Sequence, residues 1–416
     1  MTTQDPDLPA QQGWLSLGEA RARMLEALRP VDGWASVALR DALDRVLDRD
    51  VVAPFDVPAH DNCAMDGYAL RAADLAPGAS ARLAVVGTAL AGSAFSGSIG
   101  PGQAVRVMTG AVLPRGADVV VPQELAQAHG ESVEIPAGQR AGQNIRRAGE
   151  DLARGQPALR AGRRIGAAEL GLLASLGIAE VPVRRRLRVA LLSTGDEVAT
   201  IGQTLAPGQI YDSNRYTLTA ALRRMDAELI DLGVVRDDPQ ALEQAFRNAA
   251  ACADAVITSG GVSVGEADFV KALMARLGEV HFWKIAIKPG RPMAFGRIGD
   301  AWLFGLPGNP VAVMVTFHQI VVDALQKMAG VDPLPARPML LAPCVAPIRK
   351  GKGRAEFVRG VLFDDHGTWK VRPGEHQGSG VLRSMSEANC FIALPEAQGN
   401  VAAGDPVPVQ PFEGLL

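Results

Sequence analysis

Between Leu187 and about Gly330 the chain alternates two hydrophobic periods, and that alternation leaves few folds open to it. "LRVALLST" is an apolar run of strand length, "RYTLTAALRRMDA" repeats apolar residues at helical steps, and "ELIDLGVV" returns to strand. "PQALEQAFRNAAACA", "DAVITS" and "DFVKALMARLG" repeat the cycle as helix, strand and helix. Units of this kind make right-handed crossovers, hence a mostly parallel sheet covered on both faces. "HFWKIAIKPGRPMAFGRI" adds a pair of strands, "AWLFGL" closes the sheet, and the apolar "VAVMVTFHQIVVDALQ" follows. His318, Gln319 and Asp323 interrupt that last run, which fits a buried helix and not a membrane span.

At 416 residues the chain exceeds a single core. From Trp14 to about Asp50, "EARARMLEAL" and "LRDALDRVL" read as helical. After Val51, short β-branched runs such as "RLAVVGTAL" alternate with glycine turns, until "AAELGLLASLGI" restores the helical pattern. Past Pro333 the texture is β again. The expected layout is a small helical unit over 14–50 and 150–184, a β domain over 51–149 inserted within it, an α/β domain over 185–333 and a C-terminal β-barrel-like domain over 334–416. A net charge of -3 lacks the basic footprint of a nucleic-acid binder. Cys63, Cys252, Cys344 and Cys390 are isolated, which suits a reducing cytoplasm. The acidic, polar start "MTTQDPDLPAQQG" resembles neither a signal nor a transit peptide.

Open α/β sheets bind ligands beyond the carboxyl ends of their strands, and here those ends are polar. The first runs into Ser193, Thr194, Gly195, Asp196 and Glu197, and the second into Arg236, Asp237 and Asp238. The third runs into "TSGGVSVGEADF", with Gly260, Gly261, Ser263, Gly265, Glu266 and Asp268. The last runs into "LPGNPVA", where Asn309 can cap the next helix and Pro310 suits its first position. Small residues let backbone N–H groups reach a phosphate, and carboxylates suit Mg²⁺ bridging phosphate oxygens. One such motif is usually a turn or a cap; four on one edge, with a paired Asp-Glu and a glycine pair, point to a site. No His/Cys cluster suggests zinc, and the six histidines form no triad. The hairpin "WKIAIKPGRP" carries Lys284, Lys288 and Arg291. Its tip is solvated surface unless it lies beside the acidic edge, where it would hold a tetrahedral oxyanion. Arg184, Arg185, Arg186 and Arg188 read as a solvated linker.

"DNCAMDGYA", "MTGAVLPRGADVVVPQE", "NIRRAGEDL", "STGDEV", "SGGVSVGEAD", "IKPGRPMAFG", "GLPGNPVAV", "GRAEFVRG" and "SGVLRSMSEAN" follow one another in this chain. As an ordered set they resemble the molybdopterin molybdenumtransferases, bacterial relatives of the gephyrin E domain, over nearly everything after Trp14. The resemblance implies an elongated homodimer of four-domain subunits, each active site lying between the α/β domain of one subunit and the inserted β domain of the other. It implies Mg²⁺-dependent cleavage of adenylylated molybdopterin with molybdate, release of AMP, and molybdenum left on the dithiolene sulfurs. The upstream molybdopterin adenylyltransferase is an expected partner. The motif acids map to Asp66, Glu197, Asp237 and Asp268 and the motif threonine to Thr109; the expected metal ligands are Asp196, Glu197, Asp237 and Asp268. Expected pterin-binding positions are Ser193, Thr194, Gly195, Asp212, Ser213, Asn214, Gly260, Gly261, Ser263, Gly265, Pro307, Gly308 and Asn309. Lys284, Lys288 and Arg291 are expected to hold molybdate. Cys63 and Ala312 stand where the family commonly has serine, so neither supplies a hydroxyl. A carrier or scaffold role, and the preceding adenylyltransferase step, are the rival readings; the intact acids oppose the first and the two extra β domains the second.

Overall fold

The computed structural model describes residues 13–260, 273 and 275–413. Its centre is a six-stranded sheet. The strands are β1 (Arg188–Thr194), β2 (Glu228–Val235), β3 (Ala255–Ser259), β4 (Gly278–Lys284), β5 (Pro292–Ile298) and β6 (Ala301–Leu306). Their order across the sheet is β2-β1-β3-β6-β5-β4, parallel through β6 and antiparallel beyond it. The expected alternation thus holds, with the added strand pair at one side. Residues of β1 alternate between two cores: Val189 and Leu191 face one, Ala190 and Leu192 the other. Helix α1 (Ser213–Arg224) packs Leu218 and Leu222 on the first face, and α2 (Pro239–Cys252) packs Leu242 and Phe246 on the second. Most of the helix expected at "DFVKALMARLG" lies outside the described residues.

The inserted β domain forms a six-stranded sheet, in which Gly67–Leu70 sits between Gln103–Val107 and Val119–Pro122. In the C-terminal β unit, Ala355–Asp365 pairs with Thr368–Pro373 and with Cys390–Leu394. A bridge between Cys344 and Val371 brings its far edge back to the near one, giving the barrel-like closure.

The unit expected to be helical is mostly not. "LRDALDRVL" makes one 3₁₀ turn, Leu39–Asp41, after a strand Trp34–Ala38 that pairs with Glu180–Arg184. Ala42 and Leu47 enter a core with Ile165, Leu173, Val181 and Val183, so tertiary burial overrides the helical spacing. The helix Leu17–Ala27, started by a Ser16–Glu19 capping box, sends Ala20 and Met24 into the α/β core.

The long apolar run is α3 (Pro310–Thr316), a π-helical turn Phe317–Val321, and α4 (Val322–Met328). No helix among the described residues is long and apolar enough to cross a membrane. Its polar interruptions are fasteners. Gln319 donates to Gln410 at 2.7 Å, and Arg337 donates to Gln319 and to Asp323, each at 2.7 Å. His318 buries its Nδ1 without a hydrogen-bond partner among the described residues. Burial, helped by Arg337 and Arg224, pulls its pKa down from 6.5 to about 4. The folded protein therefore holds a neutral imidazole that the unfolded chain would protonate. Stability from this group is present above pH 6.5 and is lost as pH falls toward 4, by at most about 3 kcal/mol. Denaturant titrations at pH 7 and 4.5 should show this loss shrinking in His318→Gln; an equal loss in both proteins would exclude it.

Candidate active site

Three strand ends converge at the carboxyl edge of the sheet. β1 ends in Ser193 and Thr194, 1% and 4% exposed, and β3 in Thr258 and Ser259, equally buried. Ser193 Oγ lies 3.2 Å from Ser259 Oγ, as their direct register requires. Gly260 follows with φ +93, and a Cβ there would sit 2.6 Å from the Thr194 carbonyl oxygen. Only glycine lets the two ends approach so closely. Gly260 N–H donates to Leu306 O at 3.2 Å, which brings in the end of β6, and Gly308 lies against Gly260. Asn214 then ties the start of α1 to this loop, its Nδ2 donating to Gly308 O at 2.7 Å. Thr194, Gly260, Gly308 and Asn214 thus form one ledge of small residues.

The acids stand beside it. Thr194 is in register with Val235, so the loops after β1 and β2 run side by side, and Asp237 N–H donates to Asp196 Oδ1 at 3.3 Å. Gly195, with φ +135, lets Glu197 curl back: a Cβ there would lie 2.5 Å from the Glu197 carboxylate. No three His, Cys, Asp or Glu side chains among the described residues converge as a metal cage. Mg²⁺ commonly uses one or two carboxylates and completes its shell on substrate phosphates, so the adjacent Asp196, Glu197 and Asp237 still fit it. The Thr194 and Thr258 hydroxyls, buried without partners among the described residues, are further donors of the kind a phosphate would accept from.

The hairpin tip lies on this same edge. Lys284 is opposite Pro292 and Ala294 opposite Gly305, so the turn between them projects beside the Pro307-Gly308-Asn309 loop. Gly290, with φ +110, packs on α3, where a Cβ would stand 2.4 Å from Thr316 Oγ1. Lys288 forms an ion pair with Glu356 at 3.1 Å, and the Arg291 guanidinium lies over the Trp14 ring at 4.8 Å. Between tip and acids run β3 and β6, so the charges of opposite sign occupy opposite ends of the ledge.

Other expected residues fall differently. Asp212 caps α1 by accepting from Arg215 N–H at 3.1 Å and pairs with Arg215 Nε at 3.0 Å; Arg215 reaches on to Asp231. Both its oxygens are engaged inside the fold, a structural use the sequence reading did not foresee. Ser213 sits at the first position of α1. Asn309 precedes α3, but its side chain makes no capping bond; its carbonyl accepts from Val313 instead. Gly261, Ser263, Gly265 and Asp268 lie outside the described residues. Asp66 and Thr109 meet on the inserted β domain, where Asp66 Oδ1 accepts from the Thr109 N–H and hydroxyl, both at 2.7 Å. Those two bonds hold the Asp66 pKa below the ordinary carboxylate value. Sequence reasoning passed over Thr258 and Glu356. The first was legible as the opening residue of "TSGGVSVGEADF", at the polar end of its strand; the second depends on a contact 68 residues along the chain.

Residues 15–177 match the family described as the MoeA N-terminal region (domain I and II), 190–327 a probable molybdopterin binding domain, and 342–412 the MoeA C-terminal region (domain IV). A molybdopterin molybdenumtransferase of Haemophilus influenzae is 44% identical over 97% of this chain and 100% of its own length. The chain belongs to the molybdopterin molybdenumtransferases. Molybdopterin molybdenumtransferase 2 of Mycobacterium tuberculosis is 39% identical over 92% of this chain and 95% of its own. The molybdopterin biosynthesis moeA protein from Pyrococcus horikoshii OT3 superposes with a TM-score of 0.83 at 28% identity, covering 96% of this chain and 100% of that one. As a family member the chain is a transferase of molybdenum cofactor biosynthesis.

Proposed function

We propose that the chain inserts molybdenum into molybdopterin, cleaving adenylylated molybdopterin in the presence of molybdate and releasing AMP, in the cytoplasm. The observation that carries this reading is the single sheet edge that sets a ledge of small residues between acids and a cationic hairpin tip. Backbone N–H groups and the Thr194 and Thr258 hydroxyls would hold the phosphates along the ledge. Lys284, Lys288 and Arg291 would hold molybdate at the tip, with Glu356 fixing the direction of Lys288. Asp196, Glu197 and Asp237 would hold Mg²⁺, which when bound neutralises charge developing on the leaving phosphate oxygen. A scaffold that only carried pterin would have no use for acids on this edge. The upstream adenylyltransferase would supply the substrate.

Molybdate-dependent AMP release from adenylylated molybdopterin tests the reading, and its absence would refute it. Arg291→Ala should raise the half-saturating molybdate concentration about tenfold, through loss of one charge-assisted fork, while pterin binding changes little. Arg291→Lys should recover part of that loss. An unchanged molybdate response in the alanine variant would return the tip to ordinary surface.

In this reading the protein is a homodimer, and Asp66 and Thr109 act on the ledge of the other subunit. Asp66→Asn and Glu197→Gln should each lose most of their turnover alone. Mixing and re-pairing them leaves about a quarter of the sites with both wild-type residues, by the symmetry of the dimer. Recovered turnover near that fraction is expected; none would mean that each site is built within one chain.

A further inference from the structure

We propose a second anion site, for a phosphate-sized tetrahedral oxyanion, in the arginine-walled cleft at the amino end of the central sheet. It is separated from the ledge by the length of β1, roughly 20 Å at the usual rise per residue. The cleft encloses about 30 Å³, and its wall carries Arg45, Arg164, Arg184, Arg185 and Arg186. Of the run expected to be a solvated linker, Arg184, Arg185 and Arg186 are gathered here, while Arg188 stays at the surface beside Glu228. Three parts of the molecule contribute: Arg45 and Arg164 from the unit over 14–50 and 150–184 (here the linker unit), Arg184–Leu187 from the crossing segment, and Met225–Ala227 with the end of α4 from the α/β domain.

The aspartates nearby do not match these guanidiniums one for one. Asp226 alone serves two of them, at 3.4 Å from Arg45 and 2.9 Å from Arg186. Arg184 is taken by Asp48 at 3.2 Å and Arg185 by a fork on Asp254, both bonds at 2.7 Å. Among the described residues the Arg164 side chain bonds only the Asp44 carbonyl, at 3.2 Å. Five arginines thus meet two aspartates, Asp44 and Asp226, among the residues that line the cleft. Arg45 is 8% exposed, and burial and the neighbouring Arg186 hold its pKa below the usual arginine value against the pull of Asp226. One more small anion here would relieve that repulsion and accept directed guanidinium bonds. Where one water needs roughly 10–15 Å³ of such space, the cleft has room for a small anion. Because the wall is shared, such an ion would clamp the linker unit onto the α/β domain.

The test is thermal unfolding of the full chain against inorganic phosphate at constant ionic strength, with chloride as the replaced salt. The midpoint should rise by several degrees and saturate in the wild type, since binding to the folded state alone stabilises it. The rise should persist in Lys288→Ala/Arg291→Ala, which removes the cations of the hairpin tip. It should vanish in Arg164→Ala, a change that breaks no ion pair; Arg186→Gln serves as the second variant if the first fails to fold. Any other pattern, including a rise that disappears with the hairpin cations or none in the wild type, overturns the proposal.

Discussion

Glu197→Gln should lower turnover at least about a hundredfold, a loss of roughly 3 kcal/mol of transition-state stabilisation, while leaving the melting temperature within a degree or two. The exchange keeps the volume and removes one charge. Glu197 is exposed, and the loop around it is held by its backbone, whose carbonyl accepts from Ile210 N–H at 2.8 Å. Among the described residues no hydrogen bond or ion pair depends on the ionised side chain. Its position is what matters: Gly195 folds the carboxylate back over the end of β1, toward the strand end that Asp237 also borders. If the acids hold Mg²⁺, the variant should need far more of it for half-maximal rate, and saturating Mg²⁺ should restore part of the loss. Asp237→Asn should behave alike. Asp196→Asn is a less clean probe, because Asp196 also accepts a backbone bond from Asp237. Near-normal turnover of Glu197→Gln at limiting Mg²⁺ would remove the metal role from this edge.

Gly260→Ala is expected to damage both stability and activity, and Gly308→Ala much less. At Gly260 the new methyl would meet the Thr194 carbonyl at 2.6 Å, a backbone atom that cannot step aside, in a conformation with φ +93. Left-handed strain of about 1–2 kcal/mol and an overpacking cost of about 1–3 kcal/mol add here, so the melting temperature should fall by several degrees. Because the clash lies between the ends of β1 and β3, relief must come by spreading them, and turnover should drop more than tenfold. At Gly308 the nearest atom is the Gly260 Cα at 3.9 Å, an ordinary contact. Melting curves and single-turnover rates for the two variants separate the cases. Equal behaviour would mean that close approach of the strand ends has no part in the site.

What could be read without coordinates was whatever the local period decides. β1 and β3 are strands because runs such as "VALLS" are buried on both sides, and the polar residues at their ends stood out against that background. The misread stretch Leu39–Leu47 shows the limit. Its apolar spacing fits a helix, yet those residues fill a core whose other half, Ile165 to Val183, arrives more than a hundred residues later. Asp212 shows the same limit: no local signal announces the buried Arg215 that engages both its carboxylate oxygens. The hairpin tip was legible in its charges but not in its place. Its side of the sheet follows from the antiparallel turn at β5, and its partner Glu356 from a strand in another unit.

That strand has a consequence for how the gene can change. Ile287 and Lys288 pair in parallel with Ala355 and Glu356, so two residues of the hairpin are also an edge of the C-terminal sheet. Ala355 N–H donates to Ala286 O at 2.8 Å, which extends the seam. A recombination that exchanged everything after Pro333 with a homologue would inherit a foreign edge beneath its own cationic tip. Lys288 would then be aimed by whichever residue the incoming strand carried at position 356. Successful chimaeras should therefore be those in which segments 285–291 and 354–359 come from the same parent, even when the junction lies between them.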